Sequence, residues 1–212
     1  MHRSKWIAPF AAALAVASAA TPAHALPVIS ELLYDAVGAD DGKSFVELYG
    51  TPGAALDGLR LQVVNGDTGA VAASLALSGL FGADGLFVVA DRTSAGTTSV
   101  AEADLLLDFD LQNGPDSLLL RDANGVLDAV GYGVFAAGQV FAGEGAPAED
   151  VAAGASLARH FANVDTGDNA LDFGALAVPT PGSAPLASIP EPGTAGLLGL
   201  GLAALVRRDP RR

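Results

Sequence analysis

The chain of 212 residues contains no cysteine. That excludes disulfides and thiolate metal sites, so stability must come from an apolar core. Aromatic platforms are scarce: the single tryptophan, Trp6, sits at the extreme N-terminus, and there are three tyrosines. Cations are the next shortage. Lys and Arg number 11, and six of them, Arg3, Lys5, Arg207, Arg208, Arg211 and Arg212, lie at the two ends. Between the ends, five cations (Lys43, Arg60, Arg92, Arg121 and Arg159) face 22 acids, a net charge of −17. Such a surface repels phosphate backbones and argues against nucleic acid as a partner. The familiar catalytic signatures are missing too. There is no Gly-x-Ser-x-Gly elbow, Walker loop, paired-His metal helix or Rossmann glycine pattern. No solenoid-type repeat is present.

What the chain does have is a distinctive pair of ends. Residues 1–6 carry Arg3 and Lys5, residues 7–20 are apolar, and Ala23-His24-Ala25 is a small-x-small cleavage pattern. This predicts a signal peptide over residues 1–25, with the mature chain beginning at Leu26. An uncleaved anchor helix is the alternative, disfavoured by Pro9, Pro22 and the short run. At the other end Pro190-Glu191-Pro192 precedes the charge-free residues 194–206 and then Arg207, Arg208, Arg211 and Arg212. As a helix that run spans about 20 Å against a hydrocarbon core of about 30 Å, short for a permanent anchor. The arginines favour the cytoplasmic side, which puts everything before Pro190 across the membrane. This layout resembles the PEP-CTERM sorting signal of Gram-negative bacteria. The resemblance implies transient inner-membrane anchoring, processing by an exosortase-type protease, and onward passage to the outer surface or the medium. An ordinary tail anchor is the alternative. Residues 179–189, rich in proline, read as an extended, exposed linker that gives a protease room.

Residues 26–178 read as an all-β domain. Leu59, Leu61 and Val63 alternate with Arg60 and Gln62; Leu105, Leu107, Phe109 and Leu111 alternate with acids at period two. Asp41-Gly42, Asn65-Gly66, Asp84-Gly85, Asn113-Gly114 and Asn124-Gly125 punctuate apolar runs, and the last predicts a two-residue type I′ hairpin. Many short strands with one apolar face each pack most simply as a two-sheet sandwich. Ile29-Ser30-Glu31, Phe45-Val46-Glu47-Leu48-Tyr49, residues 56–61, 85–89, 116–122, 128–133 and 154–159, Asp172-Phe173 and Thr180-Pro181-Gly182 follow one another as in a bacterial lamin-tail domain. The chain departs from that family at Ser30, often Asn there, and at Leu59, often Trp. The resemblance implies an immunoglobulin-like β-sandwich over residues 29–182, with Glu31 and Glu47 in structural parts such as bonding backbone amides or Arg. It implies no single function.

Three acidic sets and one histidine remain. Asp35, Asp40 and Asp41 follow the first strand and offer hard oxygen ligands of the kind that suits Ca²⁺; a solvated turn is the plainer reading. Glu102, Asp104, Asp108 and Asp110 are expected on one face of a strand, and their spacing fails the EF-hand pattern. Asp165, Asp168 and Asp172 form a similar set. His160 has Ser156 four residues away, too little for a hydrolase triad. The sequence therefore predicts an exported, non-enzymatic surface or matrix protein without a required cofactor. The PEP-CTERM resemblance implies a link to exopolysaccharide or biofilm. The alternative is a calcium-dependent module that binds polysaccharide or another surface protein.

Overall fold

The computed structural model describes residues 26–188. The expected signal peptide with Ala23 and Ala25, and the signature with Pro190, Glu191, Pro192, Arg207 and Arg208, lie outside the described residues. Leu26, the first described residue, is exposed.

Among the described residues, short apolar segments bounded by turn residues become ten strands: β1 (Val28–Leu33), β2 (Phe45–Tyr49), β3 (Arg60–Asn65), β4 (Val71–Ala76), β5 (Leu86–Asp91), β6 (Leu105–Leu107), β7 (Asp116–Arg121), β8 (Val126–Tyr132), β9 (Ser156–Arg159) and β10 (Phe173–Leu176). The described helix is a single turn, α1 (Asn169–Asp172), with the Asp168 carboxylate capping the Ala170 amide. A six-stranded sheet has the order β10-β9-β1-β2-β5-β6, and a four-stranded sheet the order β4-β3-β7-β8. Pairing is antiparallel except between β5 and β6.

The two sheets share one core. Ile29, Leu32, Val46, Leu48, Phe87, Val89 and Leu157 from the larger sheet pack with Leu61, Val63, Leu118, Leu120 and Val130 from the smaller. Each such side chain, fully buried, contributes roughly 2 kcal/mol. Tyr34 stacks on Tyr132 with ring centroids 4.4 Å apart, which fastens the residue after β1 to the end of β8. The all-β, two-layer expectation is met. The sequence of β3 shows why: its odd positions are buried and its even ones are not, up to Val63. β1, β2 and β5 are buried on both faces instead. Leu33, Ala36, Phe45 and Val88 form a second apolar cluster on the outer face of the larger sheet.

Several local expectations change. The Asn124-Gly125 turn is not type I′, since neither residue has positive φ. Asp122 takes over the turn: its carboxylate accepts the amides of Asn124 (2.7 Å) and Gly125 (2.9 Å), and its own N–H donates to Gly125 O. The strand expected through Asp104–Asp110 is confined to β6; Phe109 and Leu111 turn inward beyond it, and the acids lie outside the strand. Tyr34 follows the end of β1 and donates to Asp150 Oδ1. Residues 179–188, the described part of the proline-rich stretch, form no strand or helix and are fastened to the sandwich.

Candidate functional site

Two structural features concentrate polar chemistry. The first lies on the outer face of the larger sheet. A β-bulge between Ile29 and Glu31 breaks the alternation of β1, so that Ile29 and Leu32 both enter the core while Glu31 faces outward opposite Glu47 of β2. Both glutamates are buried. Glu31 accepts from Ser156 Oγ (2.5 Å), Thr180 N (3.0 Å) and Thr180 Oγ1 (3.0 Å). Glu47 accepts from Ser30 Oγ (2.6 Å) and Gly182 N (2.7 Å). Burial pushes the Glu47 carboxyl up to about 7; the bonds from Ser30 and Gly182 oppose this, and the charges of Glu31 and Asp84 add to it.

Residues 179–188 thus form a strap rather than a loose linker. Pro181 and Gly182, with φ +83° at the glycine, make a type II turn closed by Ser183 N donating to Thr180 O. Farther on, Ala162 N donates to Pro185 O (2.9 Å). The Asn163 amide grips Ala187 at both its N–H (2.7 Å) and its carbonyl (2.9 Å). Glu31 and Glu47 therefore do what the sequence resemblance implied, bonding backbone amides.

The second feature is a charge hub around Arg159, which is 2% exposed. Its Nη2 donates to both oxygens of Asp128 at 3.0 Å, and its Nη1 to Asp172 (2.9 Å) and Asp165 (3.3 Å). Nε and Nη1 also donate to the carbonyls of Ile29 and Val164, and the guanidinium lies 4.5 Å from the Phe173 ring centroid. Burial outweighs the pull of Arg159 and holds the Asp128 carboxyl above the usual carboxylate range. Glu144 is pushed up to about 7, first by burial and then by the charges of Asp128 and Asp165. Oxygens of Asp128, Glu144 and Asp165 lie within 4.8 Å of one another. The positive charge in that neighbourhood is Arg159, so the arrangement is a structural ion-pair network. Sequence reading missed this hub. The available signal was Arg159 itself, a rare cation on a strand of a very acidic domain.

The calcium candidates are placed differently from the expectation. Asp35, Asp40 and Asp41 do not bring three oxygens within 4.8 Å of one another. Asp35 is half-buried, Asp41 is exposed, and Asp40 Oδ1 is occupied by the Ala36 amide at 2.9 Å. Asp40 and Asp41 instead join Asp91, Asp108 and Asp110 around a concavity of about 370 Å³. Asp91 is fixed there by the amides of Gly42 (2.6 Å) and Phe109 (3.2 Å). Two acidic sets about 70 residues apart in the chain, read separately in the sequence, thus share one hollow. Ser156 is buried and donates to Glu31, whereas His160 is exposed, so the two are not a catalytic pair.

Residues 188–212 match the PEP-CTERM protein-sorting motif. The motif points to an exported surface protein processed by exosortase, with a transient membrane anchor before display. No family match supports the lamin-tail resemblance of the sandwich. No curated protein and no solved structure matches the chain.

Proposed function

We propose that this chain is a non-enzymatic cell-surface or extracellular-matrix protein: a lamin-tail-like sandwich exported behind a cleaved signal peptide, sorted by an exosortase-type protease, and associated with exopolysaccharide or biofilm. The observation that carries this reading is the match of residues 188–212 to the sorting motif. The order basic–apolar–small at the N-terminus supports export, and the four arginines after the C-terminal apolar run support a hold facing away from the cytoplasm. The two-sheet architecture and the amide-binding Glu31 and Glu47 are what a lamin-tail-like domain implies. The non-enzymatic reading draws support from the commitment of Ser156 and Arg159 to internal bonds. The test replaces Pro190, Glu191 and Pro192 with Ala and leaves the apolar run and arginines intact. The variant should stay uncleaved in the inner membrane of a host that processes the wild type. Normal processing and export would refute the sorting assignment.

A second reading, a calcium-dependent binding module, is favoured by one observation, the convergence of Asp40 and Asp41 with Asp91, Asp108 and Asp110. Thermal melting with and without Ca²⁺ separates the two, because a ligand that binds the folded state alone raises Tm. The leading reading expects little change. A Ca²⁺-dependent gain in Tm that disappears in Asp40→Asn/Asp41→Asn would favour the second.

A further inference from the structure

The strap ends against the sandwich close to the sorting signature. Ala187 is the last residue for which a hydrogen bond to the sandwich is described. Pro190 lies three residues farther on, at most about 11 Å of fully extended chain. A protease that reads a short signature takes the flanking peptide as an extended strand and engages its backbone N–H and C=O groups. Such groups are few here. Pro185, Pro190 and Pro192 have no N–H. Both backbone groups of Ala187 are already taken by Asn163, and the Pro185 carbonyl by Ala162.

We propose that residues 183–188 are contested by two partners, the sandwich and the processing protease, so that docking of the strap limits the rate of cleavage. The inference rests on the reading of residues 188–212 as a sorting signal. The strap is not held evenly. Its inner end, Thr180 and Gly182, donates to two buried carboxylates, and such charge-assisted bonds are the stronger kind. Its outer end is held by the neutral amide of Asn163 and one backbone bond. The outer end therefore peels first, and the glutamates stop the peeling at Gly182. Release from Ala187 back to Ser183 leaves Gly182 as the last anchor and lengthens the free tether before Pro190 from about 11 Å to about 29 Å, enough to seat several residues in a cleft.

The experiment uses the full chain in a host that processes it. Asn163→Ala removes both bonds to Ala187. Pulse–chase should show cleavage accelerated up to about thirtyfold, the factor that two net hydrogen bonds are worth. Asn163→Asp, which keeps an acceptor for the Ala187 amide and loses the donor to its carbonyl, should fall between. Amide exchange on the purified chain should show Ala187 losing protection while Thr180 and Gly182 keep theirs, which also verifies that the sandwich remains folded. Loss of Ala187 protection with an unchanged or slower cleavage rate would overturn the competition and leave the sorting assignment intact. Normal cleavage of the Pro190/Glu191/Pro192 alanine variant would instead remove the sorting assignment, and the competition with it.

Discussion

Arg159→Met is the most informative single change to the sandwich. Methionine keeps much of the side-chain volume and its contact with Phe173 but removes the charge and all five donors. Asp128 and Asp172, both almost fully buried, then face each other without a counter-ion. Removing one partner of a buried ion pair typically destabilises by about 3–5 kcal/mol. For a domain of this size each kcal/mol moves Tm by roughly 2–4 °C, so the fall should be about 6–20 °C. The deficit should also depend on pH in a particular direction. Burial already raises the Asp128 carboxyl in the folded state, and losing Arg159 removes the attraction that opposes this, so it rises further above its unfolded value. The folded variant then binds more protons than its unfolded form in that window, and its stability falls as pH rises through it. The deficit is therefore largest near pH 8 and shrinks towards pH 5. Thermal and urea melts of wild type and variant across that range are the assay. A loss below about 1 kcal/mol at pH 8, or one independent of pH, would refute the ion-pair account.

The remaining predictions concern the strap site and the hairpin. The folded pKa of Glu47, about 7, stands above its ordinary 4.5, so the wild-type domain should lose stability as pH rises between those values. Glu47→Gln should flatten that dependence in melts from pH 5 to 8, with a ceiling of about 3 kcal/mol; an unaltered slope would assign the dependence to other groups. Gly125→Val should be nearly neutral, within about 0.5 kcal/mol, because a Cβ there meets nothing within 4 Å and φ is not positive. Asp122→Ala should lower Tm, since two turn amides lose their acceptor; the opposite ranking of these two variants would restore a type I′ turn.

Much of the fold is legible in the sequence because strand periodicity and turn chemistry are local. Leu61 and Val63 announce their burial by alternating with Arg60 and Gln62, and the structure agrees. Asn124-Gly125 marks the hairpin but not its turn type, because Asp122, just outside the dipeptide, supplies acceptors that make positive φ unnecessary. The Arg159 hub could not be read, since its buried acids Asp128 and Asp172 lie 31 and 13 residues away. The anchoring of the strap is hidden from the sequence for a related reason. Proline content reports how a backbone bends, not what its remaining amides touch. Nothing local to Thr180 and Gly182 reveals carboxylates 149 and 135 residues upstream. The sorting signature was legible because it is a contiguous motif.

The position of β1 bears on timing. This first strand sits inside its sheet, between β2 and β9, and its Glu31 is satisfied by Ser156 and Thr180. A chain delivered N-terminus first through a membrane channel can pair β1 with β2 early, but β1 waits for its other neighbour until residue 159 has emerged. Glu31 keeps an open side until residue 180. Long-range closure of this kind is slow compared with local pairing. The last step of folding and the arrival of the sorting segment at the membrane thus fall close together in the life of the molecule. A chain that stalls before that step offers the protease a signature on an unfinished sandwich; one that completes it offers a signature whose preceding residues, up to Ala187, are already fastened to the sandwich.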